Sequence, residues 1–435
     1  MNIPIKAEIH GLSHDGRGIA TINGITTFVE GALPGETALC EILKRHKNYH
    51  EAKALEISNP SDARTTPLCP HFGICGGCSM QHVKIDHQIL FKQQVLLEQL
   101  QHFGKVKAET ILPPITGEPW GYRRRARLGV RYVKKKEKVL VGFREKMSHY
   151  LAELKTCDVL QRKVGYNLTA LSDMIASLSQ FQQIPQIEVA LGDKECALVF
   201  RHMTDLPQED LDKLSEFGEK NQMSIYLQPN PPKPITKLFP KNSPELLSYF
   251  LPDYQLEMQF HPLDFVQVNG EVNQLMLRQA LKLLDPQPNE KILDLFCGLG
   301  NFTLPLAKYA KQVVGIEGDQ KMVQRAYENA KLNNISNVEF YATNLMDTTN
   351  TINALNQKYD KILLDPPRTG AKEIIPLVAA MYAKCIVYVS CNPATLARDA
   401  GELVNTYGYQ LKQVGVINMF PHTNHIEAIA CFEAK

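Results

Sequence analysis

The chain lacks any apolar run long enough to span a membrane, and its first residues, Met1–Lys6, lack the character of a signal peptide. It also lacks internal repeats and low-complexity segments. With 435 residues, 44% of them hydrophobic, it is long enough for two or three packed domains. We therefore expect a soluble cytoplasmic protein, with a monomer as the default state, whose ten cysteines are not paired in disulfides.

Net charge is also small, at +2, but the positive charge is clustered in the N-terminal third. Three basic runs lie near tyrosines there: Lys44–Lys47, Arg123–Arg127 and Lys134–Lys136, with Tyr49, Tyr122 and Tyr132. One such run alone is best explained as a solvated surface. Three runs with interleaved aromatic side chains favour nucleic acid as a partner, and Arg123, Arg125 and Arg127 are expected to contact phosphate.

The pattern of apolar residues predicts three domains, at residues 1–57, 58–255 and 256–435. The first alternates as short strands between turn residues, which predicts a small all-β barrel: Ile5–Ile9, Gly18–Ile22, Thr27–Val29 and Thr37–Ile42. The second is expected to be a mixed α+β domain with a cysteine segment, a helix at about Lys84–Phe103 and a loop at Pro229–Pro234. In the third, helical and strand patterns take turns, as a doubly wound α/β sheet requires.

A buried strand runs into a glycine turn within Ile292–Phe302, and an acidic residue, Glu317, ends the next strand. This arrangement is typical of a site for a nucleotide-like cofactor. The turn lacks the third glycine that helps to seat a pyrophosphate, so S-adenosylmethionine fits better than a dinucleotide. The alternative is that Asp294 and Glu317 only cap helices.

Three cysteines form a Cys-x5-Cys-x2-Cys run at Cys69, Cys75 and Cys78, and Cys157 is the nearest candidate for a fourth ligand. The long first spacing and the glycines favour an iron–sulfur cluster, and zinc is the alternative. The spacing is not Cys-x3-Cys-x2-Cys, so it gives no indication of radical chemistry. The other cysteines apart from Cys391 are expected in the core: Cys40, Cys196, Cys297, Cys385 and Cys431.

Cys391 follows a buried strand, and Asn392-Pro393 breaks the strand there, which would expose the thiol. Beside a methyl donor, such a thiolate could attack the sixth carbon of uracil and make the fifth carbon nucleophilic. A base must then remove the proton from the fifth carbon, and Glu427 is the best late carboxylate for that role. The alternatives are a structural cysteine and an ordinary capping or surface carboxylate.

Together these motifs resemble the RNA uracil-C5-methyltransferase family, in particular its branch that acts on 23S ribosomal RNA, over nearly the whole chain. His14–Gly18 and Val29–Glu36 look like parts of a TRAM domain, an RNA-binding, OB-like barrel. Phe260–Asn269 is similar to the segment that opens the family's class I methyltransferase domain, which has a Rossmann-like fold. Ser390–Pro393 matches the nucleophile motif of the family.

The resemblance also implies roles for individual residues. It implies Cys391 as the nucleophile, Glu427 as the base, and a [4Fe-4S] cluster held by Cys69, Cys75, Cys78 and Cys157. S-adenosylmethionine is implied to bind at Gln267, Phe296, Asn301, Glu317, Asn344 and Asp365. The implied reaction gives 5-methyluridine in 23S ribosomal RNA. The alternatives are tRNA uracil-C5 methylation, which the barrel and cluster cysteines argue against, and a non-catalytic iron–sulfur RNA-binding protein or redox sensor.

Overall fold

The computed structural model describes residues 3–230, 234–347 and 353–435. Met1 and Asn2 of the N-terminal segment, and residues 231–233 of the loop expected at Pro229–Pro234, lie outside the described residues. Within the described ranges, no helix is both long and apolar enough to cross a membrane.

The N-terminal strands close into a barrel, as the sequence predicts. Small and branched apolar residues alternate with exposed ones along each strand, and the inward set fills the barrel core. The pattern in the sequence indicates four of its strands, and the structure adds a fifth, β5. The strands are β1 (Ile5–Leu12), β2 (Gly18–Ile22), β3 (Ile25–Glu30), β4 (Thr37–Arg45) and β5 (Tyr49–Ile57).

An ion pair fastens the barrel to the segment that follows it. The Glu36 side chain is buried and accepts hydrogen bonds from Nε and Nη2 of Arg64, both at 2.6 Å. It also accepts the backbone N–H of Ser61 at 3.0 Å and of Leu33 at 2.7 Å. The donors to Glu36 are two backbone N–H groups and a bidentate guanidinium, all of which have a defined geometry. This contact therefore fixes the position of the barrel relative to the segment around Arg64.

The central region is built on a six-stranded sheet of order β12-β11-β10-β9-β7-β8, with its own apolar core. Helix α1 precedes it, and the short strand β6 lies between them in sequence. The elements are α1 (Ile85–Gln99), β6 (Thr110–Ile111), β7 (Arg125–Val133), β8 (Lys138–Gly142), α2 (Arg162–Gly165), α3 (Leu168–Ala176), β9 (Gln186–Leu191), β10 (Cys196–His202), α4 (Gln208–Asn221), β11 (Ser224–Pro229) and β12 (Thr236–Phe239).

The C-terminal region is a sheet of order β17-β16-β15-β18-β19-β21-β20-β6, whose first five strands are parallel. Apolar cores cover both faces, so the expected doubly wound α/β fold is confirmed. A separate hairpin, β13 and β14, precedes the sheet. The elements are β13 (Leu247–Leu251), β14 (Leu256–Phe260), α5 (Gly270–Leu284), β15 (Lys291–Leu295), α6 (Thr303–Ala307), β16 (Gln312–Glu317), α7 (Gln320–Leu332), β17 (Val338–Ala342), β18 (Lys361–Leu364), α8 (Ile375–Ala380), β19 (Cys385–Ser390), α9 (Pro393–Asn405), β20 (Gln410–Ile417) and β21 (Glu427–Glu433).

Helix α1 packs on the C-terminal region rather than on the central sheet. It continues as a wide π-helical turn, Leu100–Gly104, which lies against α9. A side chain at Gly104 would come within 2.4 Å of the Ala397 carbonyl oxygen, and one at Gly401 would come within 2.7 Å of the Gly104 oxygen. This close approach requires glycine on both sides. It fixes α1 against the helix that begins next to Cys391.

Replacing Arg64 by Met should lower the free energy of unfolding by about 3 kcal/mol, because Glu36 would be left as an unpaired buried charge. Urea unfolding of the full chain measures this. The double variant Glu36→Gln, Arg64→Met serves as the control, since it removes the charge as well and should recover part of the loss. A single variant as stable as the unmodified chain would contradict the role given to this ion pair.

Candidate active site

The carboxyl ends of the parallel strands meet along one edge of the C-terminal sheet. In the ladder, Leu295 lies beside Ile316 and Leu364, and Leu364 lies beside Tyr388. The residues that end or directly follow these strands therefore gather at the same edge: Phe296, Glu317, Asp365 and Cys391. In open α/β sheets this edge is where ligands bind.

The glycine turn after β15 is held by Glu317. Gly298 and Gly300 have φ angles of +55° and +93°, which a side chain would strain, and Phe296 adopts +65°. The Glu317 carboxylate accepts the backbone N–H of Gly298 at 3.1 Å, and those of Gly318 at 2.7 Å and Asp319 at 3.1 Å. Helix α7 is capped by Asp319, which accepts the N–H of Lys321, so the alternative that Glu317 only caps a helix is wrong.

Asn301 has its side chain engaged within the protein. Its amide pairs with that of Asn273 on α5 through two hydrogen bonds of 2.9 and 3.1 Å, and Tyr249 donates to it at 2.9 Å. This pairing joins the glycine turn to α5 and to β13. The sequence pattern does not single out Asn273, and its only signal is an amide among apolar residues on the inner face of an amphipathic helix.

Gln267 and Asn344 lie in two connecting segments of the C-terminal region. Gln267 lies in the half-buried segment between β14 and α5, where Arg124 donates to the Val268 carbonyl at 2.8 Å. Asn344 follows β17, the strand beside Glu317, and its side chain accepts the N–H of Met346 at 3.1 Å. Asn344 therefore lies close in sequence to the strand pair that carries Glu317, since the N–H of Thr343 donates to the Glu317 carbonyl at 2.8 Å.

Three carboxyl groups lie at or just below this edge: Asp294 and Glu427 are buried, and Asp365 is half-buried. Burial raises the pKa of Asp294 to about 8, and the neighbouring Asp365 and Glu317 add to the effect, whereas the hydroxyl of Thr303 at 2.5 Å opposes it. Burial, followed by the charge of Glu317, raises the pKa of Asp365 to about 7. Burial and Asp365 raise the pKa of Glu427 to about 8. The raised pKa values show that no positive charge of the protein compensates these carboxylates fully, and a cationic ligand would favour their ionised forms.

Cys391 lies between β19 and α9, and the turn around it is well defined. The Asn392 side chain caps α9 by accepting the N–H of Ala394 at 3.1 Å, and it donates to the Arg368 carbonyl at 3.0 Å. Pro393 occupies the first turn of the helix. The sequence therefore ends the strand at Ser390 and leaves the thiol half-buried at the sheet edge.

Glu427 begins the antiparallel strand beside Cys391. Ser390 pairs with Ala428, so the next position along the ladder brings Cys391 opposite Glu427. Burial, followed by the charges of Glu427 and Asp365, raises the pKa of the Cys391 thiol to about 11, while Arg368 acts in the opposite direction. The two groups are thus electrostatic neighbours, and a proton on one favours the charged form of the other.

The loop before Glu427 is held by residues from the cysteine segment. The backbone N–H groups of Ser79 and Met80 both donate to the His422 carbonyl, at 3.0 and 2.9 Å. The Tyr122 hydroxyl donates to the Pro421 carbonyl at 3.1 Å, and Trp120 stacks on the His422 ring with centroids 3.8 Å apart. Burial lowers the pKa of His422 to about 4, which is consistent with a neutral structural histidine.

One cavity of about 210 Å³ is lined by Cys69, Cys75, Cys78 and Cys157. Burial raises the pKa of Cys75 to about 11 and that of Cys78 to about 12, and the neighbouring thiols add to both shifts. Among the described residues, no three Cys, His, Asp or Glu side chains form a group that could hold a metal ion. The five remaining cysteines expected in the core are buried, as predicted.

The arginine run at Arg123–Arg127 is only partly directed outward. Arg127 pairs with Glu188 at 2.6 Å and is largely exposed. Arg125 is half-buried and donates to the Asp264 carbonyl, and Arg123 donates to the carbonyl of Arg125 at 2.9 Å. Of the three, Arg127 is the residue whose placement best suits a phosphate contact.

The parallel sheet, its glycine turn and the acidic residues along its carboxyl edge make up the Rossmann-like fold of a methyltransferase. Two family models match the chain: one described as tRNA (Uracil-5-)-methyltransferase over residues 86–435, and one described as TRAM domain over residues 5–55. The chain belongs to the tRNA (Uracil-5-)-methyltransferase family and carries a TRAM domain. The resemblance seen in the sequence is thereby confirmed.

Similar proteins cover almost the full chain. The 23S rRNA (uracil(1939)-C(5))-methyltransferase RlmD of Hahella chejuensis is 53% identical, over 99% of this chain and 97% of the relative. That of Nitrosococcus oceani is 49% identical, over 99% of this chain and 96% of the relative. A crystal structure of Pyrococcus abyssi tRNA (uracil-54, C5)-methyltransferase with S-adenosyl-L-homocysteine has the same fold, with a TM-score of 0.74 and 23% identity, over 98% of this chain and 100% of that chain.

Replacing Asp365 by Asn should stabilise the chain more at about pH 8 than at about pH 4, by roughly 3 kcal/mol. The folded pKa of about 7 lies above the ordinary value of 3.8, so the folded state binds the extra proton and stability falls as pH rises between these values. Urea unfolding at both pH values measures the difference. Asp319→Asn, at an exposed helix cap, is the control. An equal effect of Asp365→Asn at both pH values would contradict a raised pKa of Asp365 in the folded state.

Proposed function

We propose that this protein uses S-adenosylmethionine to methylate the C5 carbon of a specific uridine in 23S ribosomal RNA, giving 5-methyluridine. The observation that carries the proposal is that a half-buried thiol, Cys391, directly follows β19 and is an electrostatic neighbour of a buried carboxyl group, Glu427, at the start of the adjacent strand β21. Relatives of 46–53% identity over almost the full chain, named for uracil(1939) of 23S rRNA, support this choice of RNA. A substrate of this kind also favours a cytoplasmic location.

In this proposal, the Cys391 sulfur forms a bond to C6 of the uracil, and the electron pair moves to give an enolate across C4 and C5. C5 would then take the methyl group of S-adenosylmethionine, whose methyl–sulfur bond would break so that S-adenosylhomocysteine leaves with the electron pair. Glu427 takes the C5 proton, the S–C6 bond breaks, and Cys391 leaves as thiolate, so atoms and electrons balance. Cys391 must lose its proton before attack, and its raised pKa means that arrival of the substrate has to favour ionisation.

The residues at the sheet edge suit the methyl donor. S-adenosylmethionine, when bound, supplies a methyl group made electrophilic by a positively charged sulfonium. The acidic group formed by Asp294, Asp365 and Glu317 matches a cationic ligand. Oδ1 of Asp294 is buried without a hydrogen-bond partner, which leaves an acceptor available beside the turn. We propose that the cofactor lies against Gln267, Phe296, Asn301, Glu317, Asn344 and Asp365, with Asn301 contributing through the position it fixes for the turn.

We also propose that Cys69, Cys75, Cys78 and Cys157 hold a [4Fe-4S] cluster with a structural role. The cavity between the four thiols has a volume of about 210 Å³, much larger than one metal ion needs. Their raised pKa values mean that the thiolates need the positive charge of bound iron to form. Since Ser79 and Met80 directly hold the loop before Glu427, a cluster at Cys78 would stabilise that loop.

The domain limits of 1–57, 58–255 and 256–435 stay a proposal. The barrel ends with β5 at Ile57, in agreement with the first limit. The limit at 255/256 falls in the connection of the β13–β14 hairpin, and β6 and α1 pack on the C-terminal sheet. The middle domain is therefore expected to unfold together with its neighbours.

Cys391→Ala should reduce methyl transfer to unmodified 23S ribosomal RNA by roughly a thousandfold or more while RNA binding survives, because no other group can form the bond to C6. The measurement is label in 5-methyluridine from methyl-labelled S-adenosylmethionine, with tRNA as the competing substrate. Cys431→Ala, in the neighbouring strand, is the matched control and should keep its activity. Turnover near that of the unmodified chain would overturn the mechanism, and label in tRNA alone would change the substrate.

Glu427→Gln should instead slow release of the enzyme by roughly a hundredfold or more, because the C5 proton would have no base. An RNA–protein band that withstands denaturant should then accumulate on a gel. Glu433→Gln, at the exposed end of the same strand, is the control. If Glu427→Gln forms no such band, although Cys391 is needed for activity, the releasing base is a different residue.

Cys157→Ser should reduce bound iron and sulfide and lower the melting temperature. Cys157 lies about eighty residues after Cys78 in the sequence but lines the same cavity, so a cluster bound there would link the two segments. Metal analysis and thermal unfolding measure the two effects. Cys40→Ser, a buried thiol in the barrel, is the control for iron content. Unchanged iron and unchanged stability would contradict a structural cluster.

A further inference from the structure

Lys92 is a fully buried lysine on the inner face of α1. Its ammonium group donates to Oδ1 of Asn418 at 2.9 Å and to the carbonyl of Phe420 at 2.9 Å. Both acceptors are uncharged, so these hydrogen bonds do not by themselves offset the cost of burying a cation. A buried lysine with this environment calls for a nearby negative charge.

The negative charge that acts on Lys92 is Glu427. Ile417 pairs with Glu427 in the β20–β21 ladder, and Asn418, the residue after Ile417, carries the amide that binds Lys92. The Lys92 ammonium thus binds Asn418, the residue that directly follows the one paired with Glu427. Each group favours the charged form of the other: burial lowers the pKa of Lys92 to about 7, and Glu427 opposes that shift.

We propose that Lys92 is a positioning residue for Glu427: it holds the loop at Asn418 and Phe420 and favours the ionised form of the carboxylate, which is the form that accepts the C5 proton. The inference rests on the proposed function, in which Glu427 is the base. It goes further by giving a role to a residue of α1, which neither the glycine turn nor the nucleophile motif includes.

Gln88, one turn earlier on α1, offers a matched uncharged comparison. It is also fully buried, and its side chain contacts the same loop by accepting the N–H of His422 at 2.8 Å and donating to the carbonyls of Met80 and Val83. Gln88 and Lys92 thus brace neighbouring parts of one loop. Only Lys92 brings a charge, so a pH-dependent effect separates the two roles.

Several other groups act on the Glu427–Lys92 pair and must be included in any pH dependence. After burial, Asp365 raises the pKa of Glu427, and Lys92 and Arg368 lower it. The imidazoles of His422 and His425 face the same cation, and burial is the first cause of the lowered pKa of each. Cys391 faces Glu427 from β19. Removing the charge of Lys92 leaves the other groups in place, so the pKa of Glu427 should rise.

The test is the decay of the denaturant-stable RNA–protein adduct, formed in a short pulse and then followed across a range of pH. Glu427 accepts a proton only when ionised, so decay should quicken as pH rises. We call the pH range over which the decay rate increases the rising limb of the profile. In Lys92→Met this limb should move to higher pH by about one unit, the size expected for loss of a nearby opposite charge. Gln88→Met should slow decay or lower stability without moving the limb.

Lys92→Gln keeps a donor for the loop without the charge, and it should show the same displacement, so it decides the question if Lys92→Met does not fold. Adding Lys92→Gln to Glu427→Gln should cause no further accumulation of adduct, because the residue acts through Glu427. A limb that stays in place in both variants, or moves equally in Gln88→Met, overturns the inference. An unmodified chain that forms neither adduct nor 5-methyluridine overturns the proposed function instead.

Discussion

The register between β19 and β21 is the constraint on which the candidate site depends. Ser390 lies opposite Ala428, and every residue of both strands is buried except the last of β21, so the two faces of the sheet fix this pairing. A slip of one residue would turn each side chain to the other face. Cys391 would then no longer lie opposite Glu427. The chemistry thus depends on packing deep in the sheet.

A second constraint joins the N-terminal half of the chain to this edge. Helix α1 meets α9 through the close contact of Gly104 and Gly401, and its polar inner face reaches the loop that precedes Glu427. The segment of Cys78 contacts the same loop through the backbone of Ser79 and Met80. One short loop is therefore held from two directions. This explains in physical terms how a cysteine segment distant in sequence could influence a redox-neutral reaction.

Strand-end residues were the most predictable part of the molecule. Glu317 ends an apolar strand, and Asp365 and Cys391 each directly follow one. Parallel strands place their carboxyl ends together whatever the length of the loops. The barrel was also predictable, because alternation and turn residues are local signals. Strands β5 and β6 were less predictable from the sequence. β5 closes the barrel beside β3 and β4, and β6 is a two-residue strand defined only by its partner β20.

The sequence by itself determined the class of fold, the Cys-x5-Cys-x2-Cys run, the strand-end acids and the motif around Cys391, because each is written in neighbouring residues. Only the tertiary structure decided that Glu427 lies opposite Cys391, that the Asn301 amide is taken by Asn273, and that Lys92 is buried beside the loop at Asn418. These pairs join residues from 28 to 326 positions apart. Contacts at such separations depend on how the sheets and helices pack, which no local pattern records.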